Sequence, residues 1–139
     1  MSQRTVLIVE DDLEFQELLK LRVESCGHRV LIACSGSEGL DTAQSERPDL
    51  VILDVFLPDM DGLTVLKRMK APLDVGTGKP SVTKGIPVVV ITGKAPMIEN
   101  ITRVEGASDF FVKPVDLEEL AKRVNEILEQ EQYEREQKS

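Results

Sequence analysis

The chain has 139 residues, 41% of them hydrophobic and 30% charged, which suits one core and one domain rather than two. A formal net charge of -8 argues against a nucleic-acid or anionic-membrane surface, since both need clustered Lys and Arg. One histidine and two cysteines, neither in a CxxC, leave a zinc site short of ligands, and no apolar stretch nears the ~20 residues that cross a bilayer.

The elements follow in chain order. Ser2, Gln3 and Arg4 lead straight into an apolar run, Thr5–Val9, with no signal peptide in view. Phe15, Leu18, Leu19, Val23 and Cys26 form a helical stripe ended by Gly27. Arg29–Ala33 is a weaker second strand. Ser35 with Glu38 resembles a capping box, opening a second helix that turns Leu40 and Ala43 inward. The third run is 49–53, followed by a helix on Leu63, Leu66 and Met69. Residues 87–92 make a fourth run. Pro96 opens a fourth helix with Met97, Ile101 and Val104. Residues 109–112 are a fifth strand, and Asp116 with Glu119 caps a fifth helix carrying Leu117, Leu120, Val124, Ile127 and Leu128.

The strand runs are continuously apolar, as strands covered on both faces must be. Five strand–helix units with long crossovers predict a doubly wound α/β fold, a five-stranded parallel sheet with five helices. In such sheets the ligand site lies beyond the carboxyl ends of the strands. Those ends carry Glu10, Asp11 and Asp12, then Asp54, then Thr92 before Gly93, then Lys113 before Pro114. Carboxylates gathered in one cleft repel each other unless a cation intervenes. A hard oxygen cluster suits Mg²⁺. A lysine and a hydroxyl beside it can hold phosphoryl oxygens, and a central carboxylate can attack phosphorus.

Four segments in this order, VLIVEDD (6–12), VILDVFLPDMDG (51–62), VVVITGKA (88–95) and GASDFFVKP (106–114), resemble the response-regulator receiver domains of two-component signalling over roughly residues 4–130. The resemblance implies a flavodoxin-like receiver fold. It implies that Asp54 accepts phosphate from a histidine kinase or phosphotransfer protein, with Mg²⁺ held by Glu10, Asp11, Asp54 and the carbonyl of Phe56. Asp12 matches an acidic but peripheral position. Thr92 and Lys113 match the phosphoryl-binding pair, and Pro114 a proline whose peptide bond is often cis. Phe110 matches the switch aromatic, leaving Phe111 to core packing. The surface of the fourth helix, fifth strand and fifth helix would then bind a protein target or a second copy, with no direct nucleic-acid or membrane contact, in the cytoplasm.

Other readings stand beside these. A haloacid-dehalogenase-type hydrolase needs a second acid two residues after its nucleophile, where this chain has Phe56. A flavodoxin-like cofactor binder needs a phosphate loop after the first strand, and none is present. A phosphorylation-independent binding module is the remaining alternative. Pro58–Asp59 and Asp61–Gly62 are ordinary turn formers. Cys26 and Cys34 read as small buried hydrophobes, and His28 as a solvated loop residue far from the site. Residues 71–85, with three glycines and two prolines, read as a mobile surface insertion at the amino ends of the strands, or as a docking element. Phe56 and Lys94 flank the expected mouth, where a bulky Phe56 should shield phosphorus from water. The receiver reading gives residues 1–130 to the domain and 131–139 to a polar tail or linker.

Overall fold

A computed structural model describes residues 3–74, 76–93 and 105–138. The elements are β1 (Thr5–Val9), α1 (Leu13–Glu24), β2 (Arg29–Ala33), α2 (Gly36–Glu46), β3 (Leu50–Asp54), α3 (Gly62–Lys70), β4 (Val88–Thr92), β5 (Asp109–Val112) and α4 (Leu117–Lys138). The helix expected on Pro96, Met97, Ile101 and Val104, with Lys94 before it, lies outside the described residues. The strands form one sheet in the order β2-β1-β3-β4-β5, every pair parallel. The doubly wound five-stranded sheet expected from the sequence is therefore the observed one, with four helices among the described residues.

Alternation along the strands divides the core in two. Leu7, Val9, Val51, Leu53, Val88 and Val90 face α2 and α3, meeting Ala43, Val65, Leu66 and Met69. Val6, Ile8, Leu50, Ile52, Val89 and Ile91 face α1 and α4, meeting Leu19, Val23, Leu120, Val124, Ile127 and Leu128. Central strands β3 and β4 are buried throughout, whereas edge strands β2 and β5 are only partly so. Burial on one flank rather than two explains why the second run is weaker in sequence.

Local signals act as read. Ser35 accepts from the Glu38 amide, and Glu38 reaches back to the Cys34 amide at 3.2 Å. Asp116 accepts from the amides of Glu118 and Glu119. Gly27 takes φ +90 after α1, a conformation that favours glycine. Gly62 has a sharper role: a Cβ there would lie 2.5 Å from both Asp54 O and Val55 Cα. Only glycine lets α3 begin against the end of β3, which is what fixes the loop after Asp54.

Several expectations fail. Leu18 is 47% exposed, because α1 buries only a narrow stripe and Leu18 sits about 100° around the helix from Leu19. Cys26 and Cys34 are both exposed, not buried; one lies in the turn after α1 and the other just past the end of β2. His28 is buried rather than solvated, its Nε2 2.7 Å from Asn125 Oδ1. A helix nearly a hundred residues later in sequence covers it, a contact no local pattern shows. Apart from these corrections, residues 71–74 and 76–85 form the loop expected from sequence, and it is built on itself. Asp74 accepts from the amides of Gly76 and Thr77, Leu73 bridges Pro80, and buried Thr83 donates to Met69 O at 2.9 Å. The polar stretch after residue 130, left open in sequence as a tail or a linker, continues α4 to Lys138, and Arg135 approaches Asp49 there at 3.9 Å. No helix among the described residues is long and apolar enough to cross a membrane.

Candidate metal centre

The parallel register brings four strand ends together. Glu10 directly follows β1 and is 2% exposed; Asp54 ends β3 and is 5% exposed. Exposed Asp11 completes a triangle: carboxylate oxygens of Glu10, Asp11 and Asp54 all lie within 4.8 Å of one another. The alternation that divides the core extends to these positions. Glu10, Asp54 and Lys113 continue the face occupied by Ile8, Ile52 and Phe111, on the side of α1 and α4.

Lys113 joins the two buried acids. Its Nζ lies 3.1 Å from Glu10 Oε1 and 3.2 Å from Asp54 Oδ2. The Lys113–Pro114 peptide bond is cis, as the resemblance implies, and the Lys113 amide donates to Thr92 O at 2.8 Å. The ammonium also sits 4.6 Å from the centroid of the Phe15 ring, a cation–π contact. Amides hold the acids from the other side: Phe56 N–H donates to Asp54 Oδ1 at 3.0 Å, and Asp12 N–H to Glu10 Oε2 at 3.2 Å.

The electrostatics follow from one cation among three acids. Burial, then the Asp54 carboxylate beside it, pushes Glu10 up to about 7, against the opposing pull of the Asp12 amide and Lys113. Burial works against the Lys113 charge, but its hydrogen bond to Glu10 and the charge of Asp54 outweigh that and raise its pKa. The centre thus holds more negative charge than its lysine neutralises. All its donors are hard oxygens, and exposed Asp11 leaves one side to water. Such a donor set fits Mg²⁺, which accepts a few carboxylates and keeps waters.

Other expected residues fall around this centre. Asp12 caps α1, accepting from the amides of Glu14 and Phe15. Thr92 is fully buried at the end of β4, paired with Val112, one strand from Asp54. Phe110 pairs with Val90 two residues below and packs against the α2–α3 core, while Phe111 packs on the opposite core. Thr92 and Phe110 therefore share one face of adjacent strands. Phe56 is 50% exposed. Two contributors escaped sequence reasoning. Phe15 looked like plain core. Gln16, whose Nε2 donates to Glu10 O at 2.8 Å, had no signal.

Comparison with known proteins agrees with this arrangement. The model of the response regulator receiver domain family matches residues 6–125. Response regulator MprA of Mycobacterium tuberculosis is 36% identical over 129 residues, 92% of this chain and 51% of MprA. Transcriptional regulatory protein AfsQ1 of Streptomyces coelicolor is 34% identical over 125 residues, 89% of this chain and 51% of AfsQ1. The chain thus spans about half the length of these curated relatives. Among solved structures, a CheY-like response regulator receiver domain protein from Methanospirillum hungatei superposes with a TM-score of 0.80 at 28% identity, covering 96% of this chain and 99% of that one. Chemotaxis protein CheY4 of Vibrio cholerae superposes at 0.77, also with 28% identity, over 91% of this chain and 99% of its own. Strand order, acidic strand ends, the lysine–cis-proline pair and the family match converge: the chain belongs to the response regulator receiver domain family.

Proposed function

We propose that Asp54 is the phosphoacceptor of a two-component switch, loaded by a phosphohistidine on a partner histidine kinase or phosphotransfer protein. The observation that carries this reading is the triangle of Glu10, Asp11 and Asp54 with Lys113 bridging the two buried acids. An Asp54 oxygen attacks phosphorus. The new O–P bond forms as the P–N bond to the donor imidazole breaks, its electron pair leaving on the ring nitrogen. Glu10, Asp11, Asp54 and the Phe56 carbonyl would hold Mg²⁺, which when bound supplies positive charge for the phosphoryl oxygens.

The chain's own groups do the rest. Lys113 exchanges its bond to Asp54 for one to a phosphoryl oxygen, and Thr92 donates its hydroxyl to another. As Thr92 turns, Phe110 moves inward on the same sheet face. The surface that includes β5 and α4 then shifts toward its partner-binding state. The Arg123–Asp109 pair, at 2.6 Å, joins β5 to α4 on that surface. Its occupant is a downstream protein or a second copy of this chain. The receiver assists its own phosphorylation and dephosphorylation and turns over no outside substrate. Residues 131–138 extend α4 as the start of a connector.

The test is intact mass after incubation with acetyl phosphate and Mg²⁺. One added phosphoryl group is expected on the wild type, and none on Asp54→Asn or with EDTA present. No uptake, together with no binding of beryllofluoride, would leave a receiver-like binding module instead.

A further inference from the structure

The loop between β3 and α3, residues 55–61, carries the Phe56 carbonyl. Its two ends are tied to β4, to α3 and to each other, with Phe56 bridging Asp61. Val55 donates to Ile91 O and accepts from Gly62 N, and Asp61 caps α3 through the Leu63 amide. The middle is tied differently. Asp59 Oδ1 accepts from Gly36 N–H at 2.7 Å, and Oδ2 from Ser37 N–H at 2.9 Å. These are the first two amides of α2, more than twenty residues away in sequence. Beside them Met60 lies so close that a Cβ on Gly36 would stand 2.4 Å from its Cγ.

Helix α2 already has a local cap, Ser35, which takes the Glu38 amide. Ser35 leaves the amides of Gly36 and Ser37 open, and Asp59 takes both by reaching in from the β3–α3 loop. The bond pair is also strong for its exposure. It is bidentate and charge-assisted, at the positive end of a helix. The Ser37 and Gly36 amides hold the Asp59 carboxyl below the usual carboxylate range.

We propose that Asp59 is a positioning residue: its carboxylate, hung on the first-turn amides of α2, holds the β3–α3 loop so that the Phe56 carbonyl stays within reach of the metal carboxylates. This rests on the metal-dependent reading of Asp54. Residues outside a ligand shell that orient it commonly change metal affinity by ~10-fold or more when replaced.

Mg²⁺ is titrated into the EDTA-stripped full chain and followed by amide NMR shifts, for wild type, Asp59→Ala, Asp59→Asn and Ser35→Ala. Amide hydrogen exchange at Phe56, whose N–H bonds Asp54 Oδ1, is read on the same metal-free samples. Asp59→Ala is expected to weaken Mg²⁺ binding about tenfold and to speed Phe56 exchange. Asp59→Asn, which keeps one acceptor oxygen, should fall between. Ser35→Ala, which loosens the same helix through its own cap, should leave Mg²⁺ affinity unchanged. Equal Mg²⁺ affinity in Asp59→Ala and wild type, or equal losses in Asp59→Ala and Ser35→Ala, overturns the proposal. Unchanged Phe56 protection in Asp59→Ala overturns it whatever the metal does. If the wild type binds no Mg²⁺ while Phe56 exchange still responds to Asp59, the metal reading of the site falls and the loop clasp stands.

Discussion

The two ends of the sheet use the same residue types to opposite effect. At the amino end, Asp74 is surrounded by its own donors: the amides of Gly76 and Thr77, and Gln44 Nε2 at 2.5 Å. Lys70 there donates to the carbonyls of Lys84 and Ile86. Both of these charges have neutral dipoles to answer them, and the result is a closed loop. At the carboxyl end, Glu10 and Asp54 are more deeply buried yet answer mainly to each other and to one lysine. A carboxylate met by amides stabilises a fold. A carboxylate met by another carboxylate is held ready for a cation or an electrophile.

Replacing the one cation should give the largest effect. Lys113→Met leaves two buried acids without a countercharge, and breaking such a pair costs about 3 kcal/mol. Urea unfolding of the metal-free protein at pH 8 should show that loss, and a smaller one at pH 5.5, where Glu10 takes up a proton instead. An equal loss at both pH values would mean that Glu10 is not the group being neutralised.

The wild type should show the same physics as a pH trend. Glu10 keeps its proton to about 7 when folded but releases it from the ordinary value of 4.5 when unfolded. Between those values the folded state binds more protons, so stability falls as pH rises, and the contribution of this one group is fully lost above the folded value. The metal-free urea midpoint should therefore drop from pH 5 to pH 8. Saturating Mg²⁺ should remove the drop, since binding favours the deprotonated acid. A midpoint that climbs over this range without metal would sink the assignment.

Single acids sharpen the comparison of the two ends. Asp74→Ala strips three donors of their acceptor and should cost about 1 kcal/mol, with phosphoryl uptake unchanged. Asp54→Asn relieves like-charge repulsion and should raise metal-free stability at pH 8 by about 1 kcal/mol, with uptake abolished. Opposite signs in the two denaturation curves are the expected result; the same sign would mean that both ends are structural. The smallest effect belongs to half-exposed Phe56. Its replacement in Phe56→Asn should shorten the phosphoform lifetime a few-fold, read by mass after the donor is removed. A lifetime as long as wild type would show that the ring shields nothing.

Much of this was legible because it is local or periodic. Apolar runs, caps at Ser35 and Asp116, the stop at Gly27 and acids at strand ends depend on neighbours within a few residues, and parallel winding turns strand ends into one site. What escaped depends on distant partners. His28 is buried because Asn125 arrives from α4. Cys26 and Cys34 are exposed because chain geometry, not hydrophobicity, places turn residues. Phe15 lies under Lys113, ninety-eight residues on, and Asp59 looked like any turn aspartate until α2 was laid beside it.

By itself, then, the sequence determined the order of elements, the parallel sheet and the set of groups at its carboxyl edge, because strand period, helix period and capping chemistry are short-range. Only the tertiary structure decided which acids are buried, which ring lies under their lysine and which distant amides anchor their loop. Burial and pairing depend on what the rest of the chain brings alongside, and that is a property of packing rather than of any segment.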